Sequence, residues 1–220
     1  MRVAVLASGQ GSNLQALLDA TRDPSPAAVI ALVVANRPGA GALVRAAAAG
    51  IPTATIAEDG QDAARLLALL AEHAIELVVL AGWLKKVPDA VVRAFRGRML
   101  NVHPALLPAF GGAGMYGRRV HEAVLRSGAQ VSGATVHLVD DQYDHGEIVA
   151  QWPVPVRADD TPETLAARVL AVEHRLLPAV VLAFARLGAV PGAGALAVAL
   201  GRPAPSTTLP RTLDDALAAR

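Results

Sequence analysis

Along the first half of the chain, short runs of β-branched and aliphatic residues alternate with longer stretches in which apolar residues recur every three or four positions. That alternation predicts βαβ units around a parallel sheet. Strands are expected at Val3 to Ala7, Val29 to Ala35, Thr53 to Ile56, Leu77 to Leu80 and Met99 to Val102. The helical pattern fills Asn13 to Ala20, Ala40 to Ala49, Asp62 to His73 and Asp89 to Phe95, with Gly50 as the stop of the second. Beyond Gly97 the pattern changes. A Gly- and Pro-rich stretch, Pro108 to Gly117, leads into a helix at Val120 to Ser127 and two strands, Val131 to Val139 and Ile148 to Val154. Only the turn Asp140 to Gly146 separates those strands, which predicts an antiparallel hairpin. A long helix then runs from an N-cap at Thr161, with Pro162 at its first position, towards Phe184. The expected fold class is α/β: a Rossmann-like, doubly wound, mostly parallel sheet of about seven strands with a C-terminal antiparallel hairpin addition. One domain is expected over residues 1–187. Residues 188–220, rich in Ala, Gly and Pro, read as a peripheral tail in which Pro203 to Pro210 links to a short final helix.

Composition narrows the function. Charged residues make up 18% of the chain and the formal net charge is +1, so neither nucleic acid nor a membrane surface is an expected partner, and phosphate recognition must be local. The absence of cysteine removes thiol nucleophiles, thiolate metal sites and disulfides. Alanine inflates the hydrophobic fraction of 53%, and no apolar run approaches the roughly 20 residues of a membrane span. Met1 to Leu6 leads into a glycine turn rather than a leader-peptide cleavage site. A cytoplasmic protein acting on small molecules, as a monomer or weak homodimer, is the expectation.

Ser8-Gly9-Gln10-Gly11-Ser12-Asn13-Leu14-Gln15 sits where a doubly wound fold places its phosphate loop. Ser12 and Gln15 have capping-box spacing, which would start the helix at Asn13 and leave backbone N–H groups and the helix dipole facing an anion. The bland alternative is a glycine turn required only for tight packing. A dinucleotide site is a weaker reading, because Leu14 stands where a third glycine is needed and Asn36-Arg37 where an acidic residue is needed. Arg37 keeps an NADP-dependent oxidoreductase as a rival. The Walker A lysine is missing, and a single phosphate fits best.

Asn101 and His103 lie two residues apart at the carboxyl end of a predicted strand, so their side chains project to the same side. Ligands of open α/β sheets bind at that end. A lone strand-end histidine is most often structural. Here Asn101 offers a neutral donor for an oxyanion, His103 is suited to proton transfer, and Asp144 in the hairpin turn would favour charged His103 if the fold joins them.

These residues also carry a resemblance. Asn101-Val102-His103-Pro104-Ala105-Leu106-Leu107-Pro108, then Gly133-Ala134-Thr135-Val136-His137 and Asp144-His145-Gly146, resemble the folate-dependent formyltransferases. Ser8 to Gln15, Ala35-Asn36 and Ala48-Ala49-Gly50-Ile51-Pro52 resemble the purine-pathway branch of that family. The likeness covers about Arg2 to Val181. It implies formyl transfer from 10-formyltetrahydrofolate, a co-substrate, to the amine of glycinamide ribonucleotide, with no metal. It further implies catalytic roles for Asn101, His103 and Asp144, a phosphate site at Gly11, Ser12 and Asn13, and an amine contact at Glu173. A folate pocket is implied at Leu84, Lys85, Lys86 and Val87 together with Asn101 and the turn Asp140 to Asp144, in which Asp140, Asp141 and Asp144 are the contacts, so that the first half of the domain holds phosphate and the second folate.

Ala109 to Gly117 is longer than the corresponding loop of many relatives and is read as a lid. Lys85-Lys86 stands where an Arg followed by an aliphatic residue is common, and no counterpart of the family's folate-contacting arginine is found near Glu58-Asp59. Asp140-Asp141-Gln142-Tyr143-Asp144 imitates a magnesium-diphosphate motif, but in a turn rather than on a helix face. His73, His121 and His137 read as structural or surface groups. Other readings remain: a formyltetrahydrofolate hydrolase, for whose extra N-terminal domain Arg2 leaves no room; a methionyl-tRNA formyltransferase, which would want a basic C-terminal domain; and a non-catalytic phosphosugar-binding module.

Overall fold

The computed structural model describes residues 1–22 and 26–190. The expected link Pro203 to Pro210 and final helix lie outside them. Seven strands form one sheet in the order β3-β2-β1-β4-β5-β6-β7. These are β1 (Arg2–Leu6), β2 (Val29–Ala35), β3 (Thr53–Thr55), β4 (Leu77–Leu80), β5 (Met99–His103), β6 (Val131–Leu138) and β7 (Ile148–Pro155). The first five pair in parallel, and β6 and β7 add antiparallel. The helices are α1 (Ser12–Ala20), α2 (Gly41–Ala48), α3 (Ala63–Glu72), α4 (Asp89–Ala94), α5 (Arg118–Ser127) and α6 (Pro162–Leu187). Fold class and strand count agree with the sequence pattern.

The central strands are apolar on both sides because helices cover both faces. Along β1, Val3 and Val5 pack into one core with Leu14, Leu17, Leu177 and Val180, whereas Ala4 and Leu6 pack into a second with Leu66, Leu70 and Val91. The first layer belongs to α1, α2, α5 and α6, the second to α3 and α4. Strand order reverses between β1 and β4, and the loops leaving the two carboxyl ends are tied there: Ser8 N–H donates to Gly82 O at 3.0 Å, and Leu84 N–H donates to Ser8 Oγ at 3.1 Å. The reversal opens a crevice above those ends.

Many boundaries shift by one or two residues from expectation, and two differences have a clear cause. The first helix begins at Ser12, not Asn13; its cap is Gly11 in the left-handed region (φ 73), and no side chain caps it. The reason is tertiary: a Cβ on Gly11 would lie 2.7 Å from Ala42 Cα, so close packing of α1 on α2 selects glycine as the cap. Gln15 instead accepts from Arg45 Nη1 and donates to Asp19, so the capping box does not form. The last helix runs one turn past Phe184 to Leu187 and stops at Gly188, also left-handed. Its start is as expected, with Thr161 and Thr164 capping each other reciprocally.

Candidate active site

A cleft of about 630 Å³ lies over the carboxyl ends of β4 and β5, walled by the 112–118 segment, the hairpin turn and α6. Asn13, Leu84, Asn101, His103, Asp144 and Glu173 all line it. The rest of the expected set falls elsewhere. Ser12 faces a separate groove between α1 and α6, and Gly11 caps α1. Lys86 pairs with exposed Asp89 at 3.0 Å, Val87 is buried in the second core, and Asp140 accepts from His145 at 2.7 Å. Lys85 and Asp141 are also not among the lining residues. Arg37, the residue that kept an NADP reading alive, donates its Nε–H to Ser8 O at 2.7 Å and so braces the glycine turn.

The centre is built by cross-strand register. Asn101 lies opposite His137 and His103 opposite Thr135 in the β5–β6 ladder. Thr135 Oγ1 donates to Ala105 O at 2.6 Å and accepts Leu107 N–H at 3.0 Å, while Gln151 donates to Leu107 O at 2.8 Å. These bonds hold the chain immediately after His103. Asp144 descends from the hairpin turn, where the backbone of Gly146 packs so closely on Leu138 O that a Cβ would lie 1.8 Å from it.

His103 is 3% exposed. Its Nε2 is 2.9 Å from Phe110 O, and since a carbonyl only accepts, Nε2 carries the hydrogen and Nδ1 is the nitrogen turned to Asp144 Oδ2, 3.4 Å away. Asp144 Oδ2 also accepts Gly112 N–H at 2.9 Å. Phe110 and Asp144 both have left-handed backbones, φ 57 and φ 52, an arrangement costing of order 1 kcal/mol or more for such residues. Strain thus collects on the two groups that hold His103. Burial pushes the His103 imidazole below its usual value, against the pull of Asp144 and Phe110. The expectation that Asp144 raises His103 is therefore correct in sign for that contact and outweighed in total. Burial works to raise Asp144, but hydrogen bonding to His137, the charge of His103 and the Gly112 N–H prevail, leaving its carboxyl below the ordinary range.

At the far end Glu173, 7% exposed, accepts from Asn13 Nδ2 at 2.6 Å. Burial pushes this carboxyl up to about 7, with Asn13 opposing. Trp83, Leu84 and Tyr143 also line the cleft. Tyr143 falls in the turn Asp140 to Asp144 implied at the folate pocket, whereas sequence reasoning missed Trp83 and singled out neither Met115 nor Tyr116 of the longer loop. His121 and His137, taken for structural or surface groups, belong to the centre. His121 lines the cleft, and its Nδ1 is buried without a hydrogen-bond partner among the described residues; burial lowers its pKa and the charge of His103 lowers it further. Among the described residues no three His, Asp or Glu side chains are grouped to hold a metal, and no helix is long and apolar enough to cross a membrane.

The fold and the site place the chain among doubly wound α/β proteins with an Asn, His and Asp centre in a cleft over the carboxyl ends of the strands. The chain belongs to the formyl transferase family, whose model matches residues 1–181. It is 45% identical over 186 residues to a chloroplastic phosphoribosylglycinamide formyltransferase of Arabidopsis thaliana, covering 82% of this chain and 64% of that protein. Against the Escherichia coli phosphoribosylglycinamide formyltransferase it is 37% identical, covering 84% and 87%. Among the curated relatives it matches, the chain spans less than two thirds of the plant proteins, 64% and 59%, and 18% of the trifunctional purine biosynthetic protein of Bos taurus. A crystal structure of phosphoribosylglycinamide formyltransferase from Anaplasma phagocytophilum superposes with a TM-score of 0.79 at 37% identity, covering 84% of this chain and 86% of that one.

Proposed function

We propose that this protein transfers the formyl group of 10-formyltetrahydrofolate to the amine of glycinamide ribonucleotide, a step of purine biosynthesis, in the cytoplasm and without a metal. The observation that carries the reading is the His103 Nδ1 to Asp144 Oδ2 approach of 3.4 Å in a cleft lined both by Asn13 and Glu173 and by Trp83, Leu84 and Tyr143. The ribonucleotide enters with its phosphate at Gly11, Ser12 and Asn13, where the N-terminus of α1 offers N–H groups and the positive dipole end. Glu173 receives the glycinamide nitrogen. The folate lies against Trp83, Leu84 and Tyr143, so the slot is narrower than the span Leu84 to Val87 and Asp140 to Asp144. Residues 1–187 form the working domain.

The neutral amine attacks the formyl carbon, and negative charge grows on the formyl oxygen. Asn101 donates to that oxygen, a contact worth about 3 to 4 kcal/mol in a dry site. Burial outweighs Asp144 at His103 and shifts its balance towards the neutral ring. The growing charge is a second anion beside it, so protonation of Nδ1 becomes favourable as the tetrahedral centre forms. Asp144, ionised and fixed by Gly112 N–H, orients that ring. The proton lost by the amine then reaches the departing folate nitrogen through His103 or a water beside Asp144.

Steady-state assay with both substrates and no added metal or ATP tests this directly. Formation of the formylated ribonucleotide is expected. A protein that binds the ribonucleotide but never turns over with a competent folate donor would sink the reading.

A further inference from the structure

His137 is 2% exposed and faces Asn101 across the β5–β6 ladder, next to a register shift between Val136 and His137 in the pairing with β7. Its Nδ1 lies 2.7 Å from the Leu138 carbonyl oxygen. That oxygen only accepts, so Nδ1 carries hydrogen in either charge state of the ring. The hydrogen on Nε2 is the variable: absent from the neutral ring, present in the imidazolium. Nε2 is 3.0 Å from the Asn101 side-chain nitrogen. Such a contact needs a neutral His137 accepting one amide N–H. The other N–H points at Asp144 Oδ1, 3.4 Å away. Both amide hydrogens are then committed, and Asn101 Oδ1, which accepts no bond among the described residues and is not a buried orphan, is the atom left to the cleft. An oxygen there opposes a developing oxyanion. The two ends of an amide have the same shape, and their surroundings decide which way it points.

We propose that the working site carries His137 as an imidazolium paired with Asp144, and that this charge turns the Asn101 amide so that its N–H group meets the formyl oxygen. The inference rests on the formyl-transfer reading above. In the turned form Nε2–H of His137 lies between two acceptors, Asn101 Oδ1 in the 3.0 Å position and Asp144 Oδ1 at 3.7 Å. Those two oxygens, 3.4 Å apart, repel each other, and the charged N–H between them offsets the repulsion. The groups facing His137 are Asp144 and Asp140 from the hairpin turn and, through Asp144, His103 from β5. His137 touches no reacting atom and acts as a positioning residue.

Nitrogen NMR of the full chain, labelled in its histidine rings and observed near neutral pH with tetrahydrofolate and glycinamide ribonucleotide added, tests the charge state. The His137 signals are identified by their loss in His137→Gln. N–H signals from both His137 nitrogens are expected, and a lone-pair signal from Nε2 overturns the proposal. Kinetics give an independent reading, because glutamine can place a donating nitrogen where Nε2 stood and leucine cannot. His137→Leu is expected to lose about a hundredfold in kcat with both KM values within about twofold, while His137→Gln keeps about a tenth of kcat or more. Equal losses in the two variants, or an unchanged kcat in His137→Leu, overturn it. An unmodified protein with no turnover at all would instead sink the formyl-transfer reading, and the ring spectrum would still decide the charge of His137.

Discussion

Under the formyl-transfer reading, the phosphate end of the site and its catalytic centre recognise by different means. On the β1 side the glycine turn offers backbone N–H groups at the start of α1, fixed by packing of Gly11 on Ala42 and by Arg37 on Ser8. On the β5–β6 side nearly every contact is a side chain that titrates or pairs with one that does: His103, His137 and Asp144. Backbone amides hold an anion with the same strength at any ordinary pH, whereas buried imidazoles and carboxylates respond to every charge brought near them. On that reading binding belongs to the first kind of construction and chemistry to the second. Glu173 sits at the seam, a titrating group held by Asn13 of the backbone-built side.

The sharpest way to break this division is to remove the central imidazole. His103→Ala is expected to lower kcat by about 10² to 10⁴-fold while ribonucleotide affinity by calorimetry stays within about threefold; a comparable loss of affinity would show that the halves are not separable. Gly11→Ala is the converse. It forces a Cβ to within 2.7 Å of the Ala42 backbone at φ 73, which together cost about 3 to 4 kcal/mol. Its melting temperature should drop by roughly 6 to 16 °C and its ribonucleotide KM should rise, with folate binding retained.

Glu173 tests the seam through pH. Its carboxyl is raised from 4.5 to about 7, so the folded state keeps a proton that the unfolded chain releases earlier. That contribution is complete below pH 4.5 and is lost as pH climbs through about 7. Glu173→Gln removes the dependence: melting curves from pH 5 to 8 should show the unmodified protein losing about 2.5 kcal/mol relative to the variant. Parallel curves would mean that Glu173 is ionised throughout. The smallest effect is expected at Lys85→Ala. Because Lys85 is not among the cleft-lining residues, its folate KM should move by less than about threefold, and a tenfold rise would restore the broader folate slot.

Most of the frame was legible because it depends on local rules. Period-two and period-3.6 patterns mark β1 to β7 and α1 to α6, and Thr161 with Pro162 marks the start of α6. Asn101 and His103 were legible through their two-residue spacing, and Asp144 through the family resemblance. What escaped was set by contacts distant in sequence. His137 has the local signature of any strand histidine, and only the pairing of residue 101 with residue 137 places it at the centre. Ser12 looks like a cap until Ala42 packs on Gly11. Trp83 lines the cleft from the loop after β4, with β5 standing between it and the hairpin that supplies Tyr143.

The close approach of Gly146 to Leu138 has a consequence for how the molecule can diverge. It makes the turn between β6 and β7 a fixed-length spacer, since one residue more or less would displace Asp144 by about 3.3 Å, beyond hydrogen-bond reach of its partners. The 109–117 loop hydrogen-bonds to the centre through Phe110 and Gly112, and between them Gly111 packs so closely that a Cβ would lie 3.1 Å from Asp144 Cβ. Residues inserted after Gly112 leave both anchors in place. Length variation should therefore accumulate on that side of the cleft, reshaping what it admits, while the hairpin turn keeps a constant count.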